Sequence, residues 1–340
     1  MPNLVFDTKQ GFTPQVHPEQ LYDLPVDTAT AFSNHKGIYK QGIERRQRKL
    51  LKKLSFLGPF LDPSERILQV TTGCSPISFL EQLLTGAILY SLKRALFVFT
   101  DRRILHIPCS PNLYYRSSIA QILYADCLKL RMRFSTLVAV YRSGRSEKFS
   151  CISSNNRRKI KAILKTVSYD DQTSPELERS HLCPKCSRPL IKNYYACPHC
   201  DLKFKTKPSA VVLSIIFPGG GYFYTRHPCL GILEAAMEII FALMMAVITW
   251  AYFMQSFYSE IARQGMMVLS AFGPRDLGQA IAFCAIIIFF EKLVTILYAN
   301  KSLDEFVPQQ RHVKPQLEEM QEYHSSSKEE KIDSVGWRSR

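Results

Sequence analysis

Two Cys-x-x-Cys pairs, Cys183-Pro184-Lys185-Cys186 and Cys197-Pro198-His199-Cys200, stand ten residues apart, and eight residues separate the second pair from the start of a strongly apolar stretch at Ser209. A two-residue gap lets one tight turn present both sulfurs of a pair. The ten-residue gap is long enough for a hairpin carrying Leu190, Ile191, Tyr194 and Tyr195. Four thiolates so spaced can close a tetrahedral shell around zinc, and a shell filled by four protein ligands is structural, with no open position for chemistry. So small a module has little core, and metal binding supplies much of its folding free energy. With the shell complete, His181 and His199 are expected to face solvent. A redox-active dithiol fits poorly, because no βαβ unit surrounds the second pair and the first would go unexplained.

The length of 340 residues suggests about two domains. The formal charge of +15 is concentrated outside the apolar stretch 209–299. A basic excess favours acidic lipid or nucleic acid as partner, and the apolar stretch tips that choice toward lipid. The ten cysteines are too sparse for a disulfide scaffold. Thiolate ligands need a reducing compartment, which places residues 1–208 in the cytosol, and residues 1–20 lack the pattern of a secretory signal.

Residues 1–35 show no period, carry four prolines, and read as a disordered arm. Residues 36–57 read as a basic amphipathic helix, with eight cations between Lys36 and Lys53, Arg45 and Arg46 among them, and an apolar stripe of Ile43, Leu50, Leu51, Leu54 and Leu57. Such a helix either lies on an anionic membrane or docks its stripe on the next domain. Candidate strands follow at 66–72, 96–99, 103–107, 119–124, 128–134, 136–141 and 148–152. Within 128–134, Leu128, Leu130, Met132 and Phe134 alternate with Lys129, Arg131 and Arg133, which predicts one apolar and one cationic face. After Ser153-Ser154-Asn155, a helix is expected over 157–167, burying Ile160, Ile163, Leu164 and Val167.

The stretch 96–107, LFVFTDRRILHI, resembles the strand–turn–strand of bacterial PH-like and GRAM-like domains, with Thr100, Asp101, Arg102 and Arg103 at the turn. The resemblance spans about residues 60–168. It implies a mostly-β barrel with a C-terminal helix that binds lipid headgroups or protein segments without catalysis. Residues 75–94 depart from such a domain: they are apolar enough for a helix or two half-helices that either cover the barrel end or dip into a membrane. Residues 169–181 read as a linker, and 182–205 resemble a zinc ribbon. Ribbons also grip nucleic acid, here through Lys185, Arg188, Lys192, Tyr194 and Tyr195, a reading ranked below lipid.

Residues 209–300 read as a membrane domain. The stretch 209–224 is short and broken by Pro218-Gly219-Gly220-Gly221, whereas 230–254 and 277–299 are long enough to span. The run from Pro218 to Tyr224 resembles small helix-hairpin membrane domains with a Pro-Gly-x-Gly-x-Phe-Tyr signature, often placed after a zinc ribbon. The glycines lack the Gly-Lys-[Ser/Thr] of a nucleotide loop, so close packing is the expected role. Lysines at 203, 205, 207 and 301 flank the domain, which argues for both termini in the cytosol and makes 209–224 re-entrant or interfacial. Lys292 is expected to pair with Glu238 or Glu234, because an unpaired charge in lipid costs about 3 kcal/mol or more. Residues 301–340 read as a polar tail.

Together these features describe a multidomain chain: a PH-like barrel, a zinc ribbon and a helical membrane hairpin. The expected role is non-enzymatic recognition or scaffolding at the cytosolic face of a membrane, bacterial and inner by the resemblance. Lys129, Arg131, Arg133, Arg102, Arg103, Arg45 and Arg46 are the candidate contacts to anionic lipid or a protein partner. No small-molecule substrate is implied. The rival reading is a transporter or membrane enzyme using Glu234, Glu238, Glu291 and Lys292.

Overall fold

The computed structural model describes residues 19–77, 90, 93–115, 119–167, 177–257 and 274–310. A meander of β3 (Ile67–Cys74), β4 (Arg94–Thr100), β5 (Arg103–Pro108) and β6 (Ile119–Leu123) forms the centre of an eight-stranded sheet. A separate three-stranded sheet holds β7 (Cys127–Arg133), β8 (Thr136–Tyr141) and β9 (Ser146–Phe149), and helix α3 (Ser154–Thr166) follows it.

The run Leu96-Phe97-Val98-Phe99 is unbroken because both faces of β4 are covered. Leu96 and Val98 join one core with Leu51, Leu54, Leu57 and Phe60, from helix α2 (Gln41–Leu51) and the 3-10 helix Lys52–Phe60. Phe97 and Phe99 point the other way, into a core built with β7, β8, β9 and α3. The stripe of the basic helix is therefore docked on the β domain. Gln47 completes the joint: its side chain both donates to and accepts from the Val70 backbone, at 2.9 and 3.0 Å, as a neighbouring strand would.

Residues 19–35 are not a disordered arm. They form β1 (Glu19–Leu21), β2 (Leu24–Val26) and α1 (Thr28–Ala31). Proline does not exclude a short strand: Pro25 sits in β2, and its neighbours Leu24 and Val26 are fully buried in the first core. Residues 1–18, and most of the 75–94 stretch, lie outside the described residues.

The linker also ends earlier than expected. β10 (Ser180–Leu182) pairs antiparallel with β6 and then with β11 (Pro189–Leu190), so the sheet runs directly into the cysteine module. Beyond the module come α4 (Lys207–Ile216), α5 (Gly220–Tyr224), α6 (Pro228–Phe257) and α7 (Pro274–Leu303). α6 and α7 are long and apolar enough to cross a membrane, with 11% of each apolar window buried. The tail is not free at its start. Lys205 donates its backbone N–H to Val307 at 2.9 Å and Gln309 donates to Lys203 at 3.0 Å, so the chain leaving α7 pairs with the end of the cysteine module. Residues 311–340 lie outside the described residues.

Candidate functional site

The Sγ atoms of Cys183, Cys186, Cys197 and Cys200 all lie within 4.8 Å of one another. The Cys183–Cys200 and Cys186–Cys197 separations are 3.6 Å, near the ~3.8 Å edge of a tetrahedron with metal–sulfur bonds of about 2.3 Å. The two pairs fold alike. Ser187 and Asp201 each donate a backbone N–H to the first cysteine of their pair, at 2.9 and 3.0 Å, and each has a positive φ, +56° and +52°. The hydrogen bond between the Cys183 and Cys186 thiols lowers that of Cys186 and raises that of Cys183. Leu190, Leu202 and Phe204 pack around the sulfurs, and Phe306 from beyond α7 closes the cluster. The arrangement can hold a metal ion. His199 accepts at Nδ1 from the Arg188 guanidinium at 2.8 Å and is exposed, as expected. His181 is buried against the Phe306 ring instead of facing solvent, because its strand is part of the sheet.

The candidate cations divide by surroundings. Arg103 is not available to a ligand. Its guanidinium donates to Glu65 at 2.9 and 2.6 Å, to the Phe60 carbonyl at 2.8 Å and to Gln121, while Glu65 is fully buried. Thr100 donates its hydroxyl to Glu65 and accepts from the backbone N–H groups of Arg102 and Arg103. Asp101 accepts from the Arg66 backbone at 3.0 Å, and partial loss of hydration raises its carboxyl although its side chain stays exposed. The Thr-Asp-Arg-Arg turn is thus a structural latch. Arg102, half-buried, is held by Asp62 at 3.2 Å and Ser64 at 2.7 Å.

Lys129, Arg131 and Arg133 are exposed on β7. Strand register puts Lys129 and Arg131 opposite Val140 and Val138 of β8, which in turn face Ser146 and Lys148 of β9. This outward face carries four cations and, among the described residues, no carboxylate. The alternation fails at its two ends. A bulge between Cys127 and Lys129 turns Cys127 inward in place of Leu128, and Phe134 sits at the hairpin tip. Leu128 and Phe134 are 72% and 73% exposed beside the cations. Arg45 and Arg46 are exposed on α2, a different element; Arg46 shares a groove of about 270 Å³ with Lys49 and Lys53.

Ser75 and His106 form a buried pair that sequence reading missed, with Oγ 2.9 Å from Nε2. Arg179 lies 3.3 Å from His106 Nδ1 and can only donate, so Nδ1 accepts and Nε2 carries the proton toward the serine. An imidazole in that tautomer cannot take a proton from Ser75. Burial, with Arg179 next in weight, pushes the histidine well below its ordinary range.

Between the apolar helices, Lys292 Nζ lies 2.8 Å from Glu238 and also donates to the Ser214 carbonyl at 2.7 Å. Glu234 instead accepts from Thr295. Lys292 thereby caps the end of α4, where the chain breaks at Pro218-Gly219. The glycines are required there. Gly219 has φ +65°, and a Cβ on it would lie 2.2 Å from the Gly231 carbonyl oxygen; one on Gly220 would lie 2.1 Å from that of Leu213. One buried oxygen of Glu291 has no hydrogen-bond partner among the described residues.

No protein family, curated protein or solved structure matches this chain.

Proposed function

We propose that this chain is a membrane-anchored, non-enzymatic recognition or scaffold protein that holds zinc in its cysteine module and presents its β domain to anionic lipid headgroups. The observation that carries the reading is the outward face of β7–β9, four cations without a carboxylate, flanked by the exposed Leu128 and Phe134. Such a face gains about 1 kcal/mol per cation near an anionic surface. The strand order, a four-stranded meander, three more strands and a helix, agrees with the PH-like resemblance.

The anchor is α6 and α7, crossing as a hairpin. Each has 30 residues, about 45 Å against a hydrocarbon core of about 30 Å. α4 has ten residues and spans only about half that core, so it lies re-entrant or at the interface. Lys207 at the start of α4 pairs with Asp304 after α7 at 2.6 Å, and Arg226 donates to the Pro308 carbonyl at 2.8 Å. These contacts support a common side for the β domain, the cysteine module and the end of α7. Four thiolates on that side favour the cytosol, and the cations there agree with the positive-inside rule. The bacterial inner membrane follows from the resemblance alone.

Flotation of residues 19–205, zinc-loaded, tests the reading. Anionic vesicles should retain the fragment and neutral ones release it. Lys129→Gln, Arg131→Gln and Arg133→Gln together should cut retention at least tenfold, a loss of ~1.4 kcal/mol or more, without changing fold stability. Equal retention of wild type and triple variant would sink lipid recognition by this face. The full-length chain should carry one zinc, lost in Cys186→Ser, and should resist alkaline carbonate extraction from membranes.

A further inference from the structure

A cavity of about 640 Å³ lies where the outer edge of β9, the cysteine module, the start of α4 and the end of α7 meet. Its wall carries eight lysines and arginines against four carboxylates. Three of those carboxylates are already engaged by wall cations: Glu178 with Arg145 and Lys192, Glu147 with Arg179, and Asp304 with Lys207. The net charge of the wall is therefore positive by four, with eight cations minus four carboxylates. Tyr194 and Tyr195 add an aromatic shelf, and both are exposed or nearly so.

The sources of the wall explain its place. Lys148 belongs to the cationic face described above, Lys205 ends the cysteine module, and Lys301 lies in the last turn of α7. Lys93 reaches over the Tyr298 ring of α7 at 5.5 Å from its centre. The cavity thus sits beside the helix ends and is continuous with the outward face of β9. On the membrane reading proposed above, on which this inference rests for its orientation, that is the level of the lipid phosphates.

We infer that this cavity binds a phosphate-bearing anionic group, supplied in the cell by the headgroup of an anionic phospholipid. Its volume exceeds that of a single phosphate and leaves room for a glycerol-sized substituent against Tyr194 and Tyr195. A positive wall concentrates anions before any specific contact forms, and lysine is a point-charge phosphate ligand that needs no fixed fork geometry.

The test uses the full-length protein in mild detergent. Native mass spectrometry measures retained phosphatidylglycerol against phosphatidylcholine, and calorimetry measures binding of inorganic pyrophosphate to lipid-stripped protein. Two variants report on the cavity. Lys148→Gln with Lys301→Gln removes two charges. Ser146→Trp fills the space from the β9 edge and leaves every charge in place. Both should weaken retention of phosphatidylglycerol by about tenfold, with zinc content unchanged as the sign of an intact module. Retention of phosphatidylglycerol identifies a lipid source. Pyrophosphate binding without lipid retention, lost in both variants, supports the same site with a soluble phosphate as its source. Binding of neither probe, or binding that both variants leave unchanged, overturns the inference. The Lys129, Arg131, Arg133 triple variant should keep its retained lipid. If it does so while the vesicle assay shows no role for the β7 face, the proposed function falls and the cavity stands. Binding of neither probe, with vesicle retention that still depends on the β7 face, is the reverse case: the cavity inference falls and the proposed function stands.

Discussion

Arg103 and Arg131 belong to the same β domain and have opposite surroundings. Arg103 is enclosed and matched: a fully buried Glu65, a carbonyl and Gln121 take up its donors. Arg131 stands on an outward face where no carboxylate lies within the strand register. Taking a guanidinium out of water is tolerable only with an opposite charge and satisfied hydrogen bonds, whereas one left in water needs no partner. Lys292 repeats the first arrangement between the apolar helices, with Glu238 and two backbone carbonyls around it. The lesson is that a positive formal charge says little about ligands until the neutralised cations are subtracted. What remains outward is the part open to an anion.

Arg103 is the cation whose removal should cost most. Arg103→Ala leaves Glu65 buried and uncompensated, and should destabilise the β domain by about 3–5 kcal/mol. Urea-dependent proteolysis of the full chain measures it. Replacing Arg103 with Met and Glu65 with Leu together should recover most of the loss. A single-variant cost below about 1 kcal/mol would mean that the pair behaves like a surface contact. At the helices, Lys292→Ala and Glu238→Ala should show a coupling of about 1–3 kcal/mol in a double-mutant cycle on detergent-solubilised protein. No coupling would place Lys292 with the open cations instead.

The buried His106 differs from both: its hydrogen-bond partners are Ser75 and Arg179, with no acid between them. Burial lowers its folded-state value far below 6.5. Below pH 6.5 the unfolded chain therefore binds a proton that the folded chain refuses, and stability falls as pH falls. The slope should approach about 1.4 kcal/mol per pH unit below that point. His106→Phe should remove this component of the slope while Phe97 and Phe149 still pack against the ring. Acid unfolding curves of wild type and variant at fixed metal occupancy of the cysteine module decide it. Identical curves would show that His106 does not titrate on unfolding.

Local signals were the legible ones. The cysteine spacing, the seven central strands, the basic helix and the two long apolar segments each leave a pattern within a few consecutive residues. Contacts made across the chain leave none. Arg102 and Arg103 look like ligand contacts until the pairing of β3 with β4 brings Asp62, Ser64 and Glu65 to them. Ser180–Leu182 looks like linker until β6 offers an edge. Residues 307–309 look like tail until the end of the cysteine module pairs with them. The Ser75–His106 contact joins residues 31 positions apart with no local motif. The bulge at Leu128 is likewise a property of the β7–β8 register, which an alternating sequence conceals.

Phe134 offers the smallest effect and the one most specific to the outward face. It is the first of two residues joining β7 to β8, with φ +52°, and its ring is 73% exposed. Hairpin tips give this conformation to Gly or Asn, and a bulky side chain there is strained by about 1 kcal/mol. The ring recovers little in the folded chain, since its one ring contact among the described residues is the Arg157 guanidinium at 5.7 Å. On the proposed lipid reading, a residue that costs stability and stays exposed beside Arg133 is placed to enter the interfacial layer of a bilayer as the cations approach headgroups. Phe134→Asn should therefore raise stability by about 0.5–1 kcal/mol and weaken retention on anionic vesicles by about threefold or more. Arg133→Gln should weaken retention without the gain in stability. If Phe134→Asn stabilises the domain and leaves vesicle retention untouched, the tip makes no membrane contact, and recognition by this face reduces to its charges.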